Sequence, residues 1–208
     1  MIVSYDKDKD LENFLKGLRS NNNPTPTKLH QEFFEKHGKA LDEHVLADFL
    51  GEKARATNIH TKTREINFVW QKIGEEFTHR TEEFFGMTLL PVRAFVTTNQ
   101  RCTYNVSERY FFIYAESKSP ANILMHELLH FYTHDAFYEK LIATGTSAQE
   151  FNDIKESLTE LLNVEFVDLM GVAIDKGYPQ HALMRTRVRH LWQESRDMAK
   201  VVDGLLTK

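Results

Sequence analysis

An α+β fold, mainly helical with one small sheet, is what the pattern of this sequence predicts, and three observations predict it. Apolar residues recur at spacings of three and four through most of the chain, as they do along one face of a helix. From about Leu89 to Tyr114 that period gives way to short β-branched and aromatic runs set between polar loops. An apolar helix-like run with two imidazoles inside it then follows, over residues 120 to 138.

Residues 1 to 87 read as an all-helical N-terminal portion. Leu11, Phe14, Leu15 and Leu18 give a first helix, and the Asn21-to-Thr27 stretch, with prolines at 24 and 26, breaks it. Thr27 is placed to cap a second helix through Phe33 and Phe34 that stops near Gly38. A third helix is expected from about Lys39 to Ala56. A fourth runs from about Thr63 to Phe85, with Ile66, Val69, Trp70, Ile73 and Phe77 inward. His30, His37, His44, His60 and His79 fall on these helices without ligand spacing and read as surface or satisfied residues. Residues 88 to 208 form the second portion, and the two are expected to make one compact unit. Leu90–Thr97 and Arg109–Tyr114 read as its strands, and a last helix is expected through Leu191, Trp192 and Val201 to Leu205.

Composition excludes several functions. With 208 residues, 41% hydrophobic and 27% charged, the chain is long enough for a full core. A net charge of −4 gives no electrostatic footprint for nucleic acid. The single Cys102 cannot form an internal disulfide and reads as a plain thiol. No apolar run has membrane-spanning length, and the first ten residues lack the basic start and apolar stretch of a signal peptide. The expectation is a cytoplasmic monomer, or export by a route that needs no signal peptide, with neither nucleic acid nor membrane as partner.

The chemistry-bearing stretch is His126-Glu127-Leu128-Leu129-His130. Residues four apart on a helix share a face, so the two imidazoles can grip one ion, and Glu127 can act as general base on a water there. Pro120 suits the first turn of a helix, with Ser117 or Ser119 before it as cap. Ile123, Leu124, Met125, Leu128, Leu129, Phe131 and Tyr132 bury the run on most sides, where polar His and Glu are costly unless paired. A third ligand decides the type of site. The metzincin arrangement, with a third His six residues after the second, fails, because Phe131-Tyr132-Thr133 contains no Gly and His134 comes only four residues after His130. The aspzincin arrangement fails because Ala148 stands where its Asp belongs after Gly145-Thr146.

A following helix supplies Glu156-Ser157-Leu158-Thr159-Glu160, with its two carboxylates four apart. Together with the upstream pentapeptide it resembles the gluzincins, the thermolysin-like superfamily of zinc metallopeptidases, over roughly residues 89 to 190. The resemblance implies a zincin-like fold, with the sheet preceding the active-site helix. It implies zinc as cofactor on His126, His130 and Glu156, with Glu160 hydrogen-bonded to a zinc-binding His; the two carboxylates could exchange roles. It also implies an edge strand that pairs with an extended peptide, either Tyr104-Asn105-Val106 or the Arg109–Tyr114 run. An oxyanion-stabilising group is expected from the later region: Tyr178 first, His181 second, Arg185 or His190 after them.

The function so implied is a zinc-dependent peptidase, in which Glu127 assists attack of a zinc-bound water on a peptide or protein substrate. Two alternatives stand beside it. One is a zinc-binding interaction or regulatory protein on a peptidase scaffold. The other is a secreted effector or toxin protease specific for one protein target.

Overall fold

The computed structural model describes residues 1–19 and 25–207, and the chain is α+β, with one four-stranded sheet among mainly helical segments. It forms two compact units, each assembled from two stretches. The first comprises Met1–Trp70 and Pro91–Pro120, and the second Gln71–Leu90 and Ala121–Lys208.

In the first unit β1 (Ile2–Tyr5) leads into α1 (Lys7–Leu18), whose start is capped by the Asp6 carboxylate accepting from the Asp8 and Lys9 amides. α2 (Lys28–His37) begins at Thr27, whose hydroxyl accepts from the His30 amide while the His30 ring takes the Thr27 N–H. α3 (Glu43–Ala56) is capped by Asp42. Phe14, Leu29, Phe33, Leu46, Phe49 and Leu50 make one core between these helices. α4 (Ile59–Phe85) follows and ends in the second unit. β2 (Arg93–Thr97), β3 (Tyr104–Asn105) and β4 (Tyr110–Tyr114) complete the sheet in the order β1-β2-β4-β3, with β1, β2 and β4 parallel and β3 antiparallel to β4. β4 therefore lies inside the sheet. Of the two strands expected as a substrate-pairing edge, only β3 is at the rim.

One expectation for the N-terminal portion needs correction, and one falls outside the described residues. The N-terminal portion is not all helical: Ile2–Tyr5 pairs with β2 in register Val3↔Ala94, and Val3 is buried. The break expected at Asn21–Thr27 lies mostly outside the described residues. His30 is a satisfied histidine, fully buried with Nε2 at 3.1 Å from the Phe14 carbonyl. Asp10 of α1 binds the end of β2, accepting from the Thr98 amide at 3.0 Å and the Thr98 hydroxyl at 2.9 Å.

The second unit is helical. α5 (Pro120–Ala143) is followed by α6 (Ala148–Leu158), a 3-10 turn (Thr159–Leu161), and short α7 (Leu162–Glu165) and α8 (Val167–Met170). An irregular stretch then leads to a 3-10 turn at Pro179–His181, α9 (Ala182–Ser195) and α10 (Met198–Leu206). The expected last helix is thus two: Arg196 takes a left-handed conformation (φ 50°), and Asp197 caps α10 by accepting from the Ala199 and Lys200 amides. Phe137, Leu141, Phe151, Ile154, Leu158, Val188, Trp192, Met198 and Val201 form the core that holds α5, α6, α9 and α10 together. Phe84 reaches Trp192 edge-on at 4.9 Å. Among the described residues no helix is long and apolar enough to cross a membrane.

Candidate metal centre

Every residue of the centre comes from the second unit. α5 begins at Pro120, where the missing N–H leaves no intrahelical bond unmade. Its apolar residues bury the helix on most sides and carry His126, Glu127 and His130 inward. α6 begins at Ser147, where a capping box closes the first turn: Ser147 Oγ accepts from the Glu150 amide, and Glu150 reaches back to the Ser147 N–H at 2.9 Å. Glu156, the ninth residue of that helix, faces α5.

His126 Nε2 lies 3.8 Å from Glu156 Oε2, and His130 Nε2 lies 3.4 Å from Glu156 Oε1. The two imidazoles meet edge to face with centroids 4.5 Å apart. One donor atom from each of the three side chains lies within 4.8 Å of the others, so the group could hold a metal ion. The His130 side chain is 4% exposed, that of Glu156 12% and that of His126 19%, which leaves His126 on the open side. Two imidazole nitrogens and one carboxylate form a set that suits a divalent transition metal.

Asp175 completes His126. Its Oδ2 lies 2.6 Å from His126 Nδ1, which fixes the ring and turns Nε2 toward Glu156. Asp175 is in turn pinned from three sides. Arg185 Nη2 is 2.9 Å from its Oδ1, the Thr159 hydroxyl is 3.1 Å from the same oxygen, and its backbone N–H donates to Asn163 at 2.9 Å. Gly177 (φ 58°) gives the chain its return toward α9, and a Cβ there would stand 2.7–2.8 Å from the Arg185 guanidinium. Glu160, expected at a zinc-binding His, is instead bound by Arg185 at 2.8 Å, by Arg189 and by Asn163 at 3.1 Å. The reason is local. α6 ends at Leu158 and the chain tightens into a 3-10 turn, so Glu160 no longer continues the face that carries Glu156.

Burial and charge set the protonation states. Burial, reinforced by the charges of Lys155 and His126, pushes His130 down to about 3, so its ring is neutral and a lone pair is available. Burial works against protonation of His126 too, but the Asp175 hydrogen bond and the carboxylates of Glu127, Asp175 and Glu156 raise it overall. For Glu156 the burial penalty is outweighed by His130 and Lys155, and the carboxyl falls below its usual range. Asp175 likewise falls, its burial outweighed by His126 and Arg185. Glu127 goes the other way. Burial raises it against the opposing charges of His126 and Lys155, and its Oε2 is buried with no hydrogen-bond partner. An orphaned buried carboxylate oxygen is what a bound water or substrate would satisfy.

The other expected residues lie elsewhere. His134 stacks on Tyr138 at 4.4 Å and meets Phe151 edge-on, outside the cluster. His181 is buried with Nε2 at 3.1 Å from Asp153 Oδ1, and the half-exposed Tyr178 packs edge-on against it at 5.9 Å. His190 sits on the surface beside Glu194. Sequence reasoning missed Asp175 and Lys155. Asp175 had no signal, since it stands in an irregular stretch and reaches His126 through tertiary structure alone. Lys155 had one: it shares the inward stripe of Phe151, Ile154 and Leu158, where a charged residue is out of place.

No protein-family model matches the chain, and neither characterised proteins nor solved structures give a match.

Proposed function

We propose that this protein is a zinc-dependent peptidase, with the ion held by His126, His130 and Glu156 and with Glu127 as general base. The observation that carries the reading is the convergence of these three donor groups in one buried cluster, beside a buried carboxylate whose pKa is raised and whose Oε2 has no partner. Zinc fits the donor set, and when bound in a site with an open position it supplies Lewis-acid polarisation of a carbonyl and a water of lowered pKa. Asp175 holds His126 in the tautomer that leaves Nε2 as donor. Glu127, whose carboxyl is raised above its usual range by burial, takes the proton of the attacking water and returns it to the departing amine. The order of a small sheet before the motif helix supports a zincin-like arrangement.

The test is elemental analysis of the purified protein together with hydrolysis of a mixed peptide pool, for wild type, His126→Ala and Glu127→Gln. One zinc per wild-type chain, loss of the metal in His126→Ala, and retained metal with hydrolysis lowered by about 10²-fold or more in Glu127→Gln support the reading. Metal bound by wild type with no peptide cleaved would leave only a metal-binding protein. No metal after zinc is supplied would remove the reading altogether.

A further inference from the structure

One charged group of the centre has no part in that mechanism. Lys155, next to Glu156 on α6, has its side chain 4% exposed and its ammonium 2.8 Å from Glu156 Oε1. A buried ammonium is costly unless paired, and an apolar residue would serve the Phe151-Ile154-Leu158 stripe better for packing alone. The charge is also poorly placed for simple metal capture. It acts on His130 and Glu127 as well as on Glu156, and a cation beside a site for a dication weakens the hold on that ion. Its ammonium bears directly on how Glu156 is presented. A carboxylate can take a metal through one oxygen or both, and a hydrolytic site needs a coordination position left open. Oε1 is engaged by Lys155 at 2.8 Å and also faces His130 Nε2 at 3.4 Å, while Oε2 faces His126 Nε2 at 3.8 Å.

We propose that Lys155 is a positioning residue of the metal centre, whose ammonium occupies Oε1 of Glu156 so that the carboxylate offers Oε2 alone and a position on the ion stays open for substrate. This inference rests on the metal-site reading above. It makes the centre a deliberately loose one, in which affinity for the ion is exchanged for an open coordination sphere.

The experiment is a cobalt(II) titration of the full chain for wild type, Lys155→Met and Lys155→Gln. Affinity is read by competition with a chelator, and coordination from the visible d–d bands. Lys155→Met should bind cobalt about tenfold tighter or more, since one positive charge is gone. Its bands should move toward higher coordination number as Glu156 becomes bidentate. Lys155→Gln keeps a donor for Oε1 without the charge, so its affinity should also rise while its bands stay close to wild type. Should Lys155→Met fail to fold by circular dichroism, Lys155→Ala takes its place, with the same movement of the bands expected. Wild-type bands in folded Lys155→Met, whatever its affinity, would overturn the inference and leave the metal site standing. No cobalt bound by wild type would overturn the metal site itself, and this inference with it.

Discussion

Replacing Asp175 by Asn tests the centre at the point where sequence and structure part. The change keeps the shape of the side chain and removes its charge. In the wild type His126 Nδ1 is 2.6 Å from Asp175 Oδ2, so the imidazole proton rests on Nδ1 and Nε2 is left as donor. An Asn side chain can turn its amide to Nδ1 instead, which moves the imidazole proton to Nε2 and blocks the donor. Loss of such a partner typically lowers metal affinity by about 10- to 100-fold, or about 1.4–2.7 kcal/mol. Arg185 keeps Glu160 at 2.8 Å and the Asp175 carbonyl at 2.7 Å, so the added loss of fold stability stays near 1–3 kcal/mol, or about that of one buried charged hydrogen bond. The assay is zinc competition against a chromophoric chelator near neutral pH, with a urea melt of the metal-free protein beside it. Glu160→Gln is the control. It touches Arg185 and Arg189 but no imidazole, so it should lower stability and leave affinity within about twofold. Wild-type affinity in Asp175→Asn, or a loss in Glu160→Gln as large as that expected of Asp175→Asn, would refute the reasoning.

Other perturbations probe the supports. Gly177→Ala puts a Cβ against an Arg185 that is itself pinned and forces a positive φ on Ala, so denaturant melts should show a loss of about 2–4 kcal/mol, with metal affinity falling as Asp175 is displaced. Ser147→Ala removes the cap of α6 and should cost about 1 kcal/mol in the same melts without changing metal stoichiometry. In the first unit, burial would raise Glu12, but Lys16 at 2.5 Å, Lys9 at 2.7 Å and the Tyr110 hydroxyl bring its carboxyl down to about 2. A carboxyl whose folded pKa is depressed stabilises above its unfolded value and loses that contribution as pH falls through the folded one. Wild type should therefore lose stability between about pH 4.5 and 2, and Glu12→Gln should be weaker by about 1–2 kcal/mol at neutral pH with a flatter acid limb, as read from urea midpoints across that range.

The motif helix was legible because its message is local: apolar residues at helical spacing, a proline at the start and two imidazoles a turn apart all belong to one stretch. Glu156 was legible for the same reason once a second helix was placed. β2 and β4 stood out by their Phe, Tyr and Val content. β1 did not, because four residues ahead of an acidic and lysine-rich run show no alternation, and only pairing with β2 makes them a strand. Glu160 was misplaced because four-residue spacing holds only while the helix stays α, and the turn at Thr159–Leu161 is tighter. Asp175 lies 49 residues from the histidine it holds, and no periodicity spans that distance. The one break in the closing helical stretch, at Arg196, had no glycine to mark it.

The placement of the donors on α5 and α6 has a mechanical consequence. This chain has a single cysteine and so no covalent cross-link within itself. An ion bound to His126 and Glu156 would tie together two points roughly thirty residues apart, and by loop-closure entropy a bond of that reach restricts the unfolded chain by about 3–4 kcal/mol. The candidate metal centre would then double as the staple of its own helices, released by a chelator where a disulfide would need a reductant.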